Sequence, residues 1–213
     1  GRRVAALDLP GHGESSLDVG SGSLDDLAAA VLGYMDAVGI GRAHLVGNSM
    51  GAAICLALTD REPQRVRSLV LLGPAGIGQK IDSNVIRGLI GGRSREELGP
   101  LLGVLYAHRS ALTEAAVDQL LAYKQRPGAV EALTKIASSR YAGTPAGRQL
   151  RDVAGDVPTL MIWGSEDRMI PPPAPETVAR AGVEMRVLPG CGHMAHVEAA
   201  DAVNRLIEEF LSR

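Results

Sequence analysis

Ala43-His44-Leu45-Val46-Gly47-Asn48-Ser49-Met50-Gly51-Ala52-Ala53-Ile54-Cys55-Leu56-Ala57-Leu58 is the stretch that decides the fold. Ala43 to Val46 reads as a buried-type strand, and Ala52 to Leu58 as a helix rich in Ala and Leu. Gly47 and Gly51 flank Ser49 at two residues on either side. Glycine there lets the backbone bend sharply, so that the serine hydroxyl stands clear above the strand end. The string Gly-x-Ser-x-Gly alone is only moderately specific; between a strand and a helix it is strong. The Met50 amide is then expected to point at a developing acyl oxyanion, where the helix dipole favours negative charge.

Working outward, Val4 to Leu7 is a short apolar run that predicts a strand, stopped by the loop Asp8-Leu9-Pro10-Gly11-His12-Gly13-Glu14-Ser15. Leu24, Leu27, Val31, Met35 and Val38 recur at helical spacing after a capping-box-like Ser23, and Gly39 and Gly41 end that helix. Val66 to Leu72 predicts another strand, closed by Gly73-Pro74. From about residue 75 to about 150 the texture turns helical and carries no strand signal, with helices over Glu96 to Tyr106 and Glu114 to Lys124, the second opened by Thr113 as N-cap. Alternation resumes at Thr159 to Trp163, then a Pro-rich loop and helix, then Glu184 to Leu188 and an amphipathic helix over Ala199 to Leu211. Strand and helix in alternation mean a mostly parallel sheet covered on both faces. The expected organisation is an α/β core over 1–74 and 151–213, interrupted by a helical insertion over 75–150.

At 213 residues the chain suits one sizeable core plus that insertion. Aromatics make up only 3%, so Leu, Val, Ile and Ala must build the core. A formal charge of −2 offers no basic surface for nucleic acid and no polybasic membrane patch. No apolar run reaches the length of a membrane span. The two cysteines, Cys55 and Cys191, make neither a disulfide framework nor a zinc motif. Cys55 reads as a small core residue and Cys191 as a turn-packing one, in a reducing, cytoplasmic setting. No metal or cofactor is expected.

A serine needs a base to take its proton as it attacks. His12 reads as a loop-shaping residue, His44 as a cap on the strand into the turn, and His108 as a surface residue of the insertion. His193 and His196 follow the last strand, at the sheet end where ligands and catalytic groups gather. Gly190-Cys191-Gly192 gives His193 a flexible turn, so His193 is the expected base and His196 a packing or capping residue. Asp167, in the loop Gly164-Ser165-Glu166-Asp167-Arg168 after the Thr159 strand, is the expected carboxylate behind it. Glu166 is expected to face solvent, and Asp8 to brace its own loop. Ser49, Asp167 and His193 fall in that chain order on three separate loops.

Asp8 to Ser15, Gly47 to Gly51, Trp163-Gly164-Ser165-Glu166-Asp167 and Gly192-His193-Met194 together resemble the α/β-hydrolase superfamily. The match runs the length of the chain and is weakest in the insertion, which corresponds to the family's helical cap. Two groups within it are most similar. Asn48 in the turn, with Gly73-Pro74-Ala75-Gly76-Ile77-Gly78 downstream, resembles the carbon–carbon bond hydrolases that cleave aromatic ring-fission products. Leu120 to Leu133, and His193 to Ala200 with Val203-Asn204-Arg205, are more similar to the hydrolase-like domain of the acetoin dehydrogenase complex's dihydrolipoamide acetyltransferase component.

The first resemblance implies a vinylogous diketo acid as substrate and a cationic pocket, for which Lys124, Arg126 and Arg140 are candidates beside a plain solvated-face reading. The second, which we favour, implies an ester, thioester or activated carbonyl substrate. It also implies a dihydrolipoyl thiol as acceptor and the subunits of a 2-oxo-acid-dehydrogenase-like complex as partners. A third reading, from another class, is a non-catalytic assembly module of such a complex. Against the family pattern the chain starts at what the family treats as its fourth strand. Its N-terminal strands and the His-Gly loop that gives a second oxyanion amide are therefore expected to be missing. Met50 would then be the lone donor, at a cost of about 2.7–4 kcal/mol in barrier, and the sheet would carry an unpaired gap.

Overall fold

The structure is a computed structural model that describes residues 1–77, 81–143, 156–174, 176, 178 and 182–213. Four strands among them, β1 (Ala43–Asn48), β2 (Val66–Leu72), β3 (Thr159–Gly164) and β4 (Glu184–Leu188), form one parallel sheet in the order 1-2-3-4. Helices α1 (Leu24–Ala37) and α2 (Met50–Arg61) precede β2. Between β2 and β3 come α3 (Ser83–Gly91), α4 (Arg95–Gly103), α5 (Glu114–Lys124) and α6 (Ala129–Gly143). After β4 follow the single turn α7 (Ala195–Glu198) and α8 (Ala200–Leu211). None of these is long and apolar enough to cross a membrane.

The strand alternation of side chains builds two cores at once. Leu69, Leu71, Met161 and Trp163 face the layer that holds α1 and α2, through Leu27, Ala28, Ile54 and Leu58. Val70, Leu72, Leu160 and Ile162 face the other way, onto Val203, Leu206, Ile207 and Phe210 of α8. Both faces of β2 and β3 are covered from Leu69 to Leu72 and from Leu160 to Trp163, and those stretches read as unbroken apolar runs. Those two strands and β4 match the predicted spans closely.

Two strand expectations need correction. Residues 3–7 are in no ladder, and Val4 is 86% exposed. Arg2 instead donates to the Leu211 carbonyl at the C-terminal end of α8, where helix carbonyls lack partners of their own. A short apolar run becomes a strand only where a neighbour completes its hydrogen bonds. For the same reason β1 is not a buried strand: it forms an edge of the sheet, with Leu45 half-buried and Val46 exposed.

In the insertion, Thr113 Oγ1 accepts from the Ala116 amide at 3.2 Å, the cap that opens α5. The α4 helix is shorter than expected because it ends at Gly103. Helices α3 and α6 escaped the periodicity reading. The insertion holds the core through α5 and the turn after it: Tyr123 donates to the Gly11 carbonyl and Arg126 to the Gly13 carbonyl. Lys124 is buried and donates to the Leu89 and Gly92 carbonyls at the end of α3. The insertion's expected end at 150, the side chain of Arg140, Gly78 and most of the helix expected after the Pro-rich loop lie outside the described residues.

Trp163 is fully buried and its indole N–H donates to the Ile170 carbonyl at 2.8 Å. Trp163→Phe leaves that carbonyl unpaired and opens a small cavity. We expect it to lower unfolding free energy by about 2–4 kcal/mol, measured by urea denaturation.

Candidate active site

Parallel pairing sets the strand ends level. Asn48 lies opposite Leu72, Leu72 opposite Ile162, and Gly164 opposite Leu188. Each strand therefore hands its following loop to the same end of the sheet, and those loops carry Ser49, Gly73, Asp167 and His193.

Ser49 sits at φ 52°, ψ −113°, the one non-glycine residue with positive φ among the described residues. Such a conformation costs of order 1–3 kcal/mol and persists only when neighbours hold it. They do: Ser49 N donates to the Leu72 carbonyl at 2.9 Å. Its own carbonyl accepts from Ala53 N at 3.2 Å and Ala75 N at 3.1 Å. A Cβ on Gly47 would lie 2.5 Å from the Gly51 carbonyl group, so only glycine fits there. A Cβ on Gly51 would meet nothing within 4 Å. The expectation that the bend needs both glycines thus holds for the first; the second contributes only the backbone that crowds it. Met50 opens α2, and its first-turn amide has no carbonyl of its own helix to bond.

Asp167 and His193 are brought together and buried, at 4% and 5% exposure. Asp167 Oδ1 accepts from Met169 N at 2.9 Å and Ile170 N at 2.8 Å, while Oδ2 faces His193 Nδ1 at 2.8 Å. A carboxylate only accepts, so it holds the proton on Nδ1 and leaves Nε2 with a free lone pair. Among the described residues Ser49 Oγ makes no hydrogen bond, to His193 or to any other group. Such contacts are often long in the absence of substrate.

Two further residues shape this pair; the sequence marked both only as part of a family resemblance, with no role beside the histidine. Asn48 Nδ2 donates to the Leu72 carbonyl at 3.2 Å and to the His193 carbonyl at 3.3 Å, tying the turn to the histidine loop. Gly73, at φ 46°, lies against the pair: a Cβ there would stand 3.1 Å from His193 Nδ1 and 3.2 Å from Asp167 Oδ2. The signals for Gly73 were the Gly-Pro end of β2, read as punctuation, and its place in the Gly73–Gly78 run, read as a family mark; neither pointed to the His193–Asp167 pair.

The remaining candidates do other work. His12 Nδ1 meets the Pro10 carbonyl at 3.2 Å, and Asp8 Oδ2 accepts from Glu14 N at 2.9 Å, so both brace the loop they sit in. His44 lies inside β1 rather than before it, paired across the sheet with Ser68 Oγ at 2.8 Å. His108 and Glu166 are exposed. His196 Nδ1 is buried without a hydrogen-bond partner among the described residues. Burial first, and then His193, lower its pKa. Burial pushes the Cys55 thiol up to about 12, and raises that of Cys191, aided by Glu198 and Glu166, so neither is primed as a thiolate nucleophile. Among the described residues no group of His, Cys, Asp and Glu is arranged to hold a metal.

Gly73→Ala is expected to press on the His193–Asp167 pair and, at positive φ, to cost about 1–2 kcal/mol of stability. Gly76→Ala has the same backbone handicap, at φ 87°, but open space around it. Proton NMR of the imidazole N–H should therefore shift in Gly73→Ala and stay unchanged in Gly76→Ala.

Comparison with known proteins agrees with this architecture. A family described as the alpha/beta hydrolase fold matches residues 1–200. The chain is 39% identical over 214 residues to the dihydrolipoyllysine-residue acetyltransferase component of an acetoin cleaving system from Pseudomonas putida, spanning all of this chain but only 57% of that relative. It is 34% identical over 227 residues to a 2-hydroxy-6-oxononadienedioate/2-hydroxy-6-oxononatrienedioate hydrolase from Burkholderia vietnamiensis, covering 77% of that protein. The solved meta-cleavage product hydrolase of Pseudomonas fluorescens IP01 superposes with a TM-score of 0.81 at 26% identity, over 96% of this chain and 77% of that one. The chain belongs to the alpha/beta hydrolase fold family.

Proposed function

We propose that the chain is a serine-nucleophile hydrolase or acyltransferase acting on an ester, thioester or activated carbonyl. One observation carries this reading. The lone positive-φ side chain among the described residues is a serine heading a helix, at the sheet end that also holds the buried His193–Asp167 pair. Ser49 Oγ attacks the carbonyl carbon as His193 Nε2 takes its proton, and Asp167 stabilises the imidazolium. The Met50 amide donates to the oxyanion, a contribution worth about 2.7–4 kcal/mol for one such donor. Collapse expels the alcohol or thiol, which takes the proton from His193, and leaves an acyl-Ser49 ester. The acyl group then passes to water or to a thiol.

The identity to the acetoin-system acetyltransferase component favours a dihydrolipoyl thiol as acceptor, and subunits of such a complex as partners. Both cysteines are free, in keeping with a reducing, cytoplasmic setting. The second reading, carbon–carbon bond hydrolysis of a ring-fission product, is favoured by the likeness to the two hydrolases. Two of its candidate cations are otherwise engaged, since Lys124 and Arg126 donate to backbone carbonyls.

A fluorophosphonate probe offered to the full chain should label Ser49, and Ser49→Ala should abolish labelling and lower ester or thioester turnover by at least about 10³-fold. Bleaching of a coloured ring-fission product, with no transfer to dihydrolipoamide, would move the reaction to the second reading. Absence of labelling in a folded protein would overturn both.

A further inference from the structure

The loop that carries His193 is held from outside the Ser49–His193–Asp167 set. Glu198, the last residue of the turn that follows His193, spreads its carboxylate between two segments. Oε2 accepts from Gly192 N at 2.6 Å, the residue just before His193. Oε1 accepts from Ala107 N at 2.9 Å and His108 N at 3.2 Å, in the segment that leaves α4. The residue just after His193 meets that same segment, since Met194 N donates to the Leu105 carbonyl at 3.0 Å. So does the residue after Asp167: Arg168 donates to the Gly103 carbonyl at 3.0 Å and the Tyr106 carbonyl at 2.6 Å. A Cβ on Gly192 would lie 2.5 Å from Ala107 N and 2.7 Å from the Tyr106 carbonyl carbon, so the two backbones pass in direct contact.

We infer that Glu198 is a positioning residue for His193, and that the segment Gly103–His108 of the insertion is the strap through which it acts. The inference rests on His193 being the base of the proposed reaction. Three amides that would otherwise compete for acceptors converge on one half-buried carboxylate, and charged acceptors make the stronger hydrogen bonds. Gly190 and Gly192 give the histidine loop little stiffness of its own. Its position is therefore set at three points along the strap: by Glu198 before the imidazole, by Met194 after it, and by Arg168 beside its carboxylate partner. The insertion supplies part of the frame that fixes the base.

Glu198→Gln keeps the volume but replaces one acceptor oxygen with a donor, so an N–H group on one side must face an N–H donor. Glu198→Asp keeps the charge but is one methylene too short to span both segments. Val203→Ala, in the α8 core, reports what plain destabilisation does. The readout is the proton resonance of His193 Nδ1–H, held by Asp167 in the wild type, together with fluorophosphonate labelling kinetics at Ser49. The expected result is a shifted or broadened resonance in both Glu198 variants and an unchanged one in Val203→Ala. The maximal labelling rate should fall on the order of 10²-fold, with little change in probe affinity. If Glu198→Gln does not fold, Glu198→Asp gives the same reading. An unchanged resonance and labelling rate in a folded Glu198 variant overturns the inference while leaving the proposed reaction standing. A changed resonance in a protein that the probe never labels sinks the reaction, and with it the role of Glu198 in positioning a base.

Discussion

A parallel sheet delivers every strand's following loop to one edge, and the rest of this structure depends on that constraint. The ladders align Asn48, Leu72 and Ile162, and they set Gly164 level with Leu188. Ser49 follows the first of those strands, Gly73 the second, Asp167 the third and His193 the fourth. Residues far apart in sequence are thereby brought to one place without any loop having to reach. The two hydrophobic layers keep the sheet in register, because a one-residue slip of β2 would exchange Leu69 and Leu71 with Val70 and Leu72 between layers already filled.

Upon that frame the site is built from backbone hydrogen bonds more than from side-chain packing. The strained Ser49 is pinned by the Leu72 carbonyl and by the Ala53 and Ala75 amides. Asp167 spends one oxygen on two amides of its own loop and keeps the other for His193. Trp163 fixes the far end of the Asp167 loop through the Ile170 carbonyl, and Ile170 N donates to Asp167, so a fully buried core residue is two hydrogen bonds away from the His193–Asp167 pair. Asn48 joins the serine turn to the histidine loop. These contacts tie the Ser49, Asp167 and His193 loops to one another through backbone groups.

What could be read in the sequence follows from the range of the forces involved. The Ser49 turn was legible because its strand, glycines and helix are contiguous, and β2 and β3 because strands buried on both faces leave a plain apolar mark. Val4 to Leu7 has the same mark, yet whether such a run is a strand depends on a neighbour that local sequence does not encode. The roles of Gly73, Asn48 and Glu198 stayed hidden for a related reason. Each acts on a loop distant in sequence, and nothing in the local composition says what will lie beside it. Lys124 looked like a surface cation or a substrate contact. Its place under α3 is a property of helix packing, and the pair of carbonyls it satisfies is visible only in three dimensions.

Family membership fixes the fold, while the chemistry depends on whether Ser49 takes the acyl group. The relatives differ in what they are named for, an acetyl transfer in one case and ring-fission hydrolysis in another, and this chain spans only part of each. The most direct measurement is peptide mapping by mass spectrometry of the full chain, acid-quenched during turnover of a chromogenic acetyl ester. The account predicts an acetyl group on Ser49 that accumulates during the burst and is absent in Ser49→Ala. Ester turnover that survives in Ser49→Ala, or an acetyl group mapped to another residue, would contradict it.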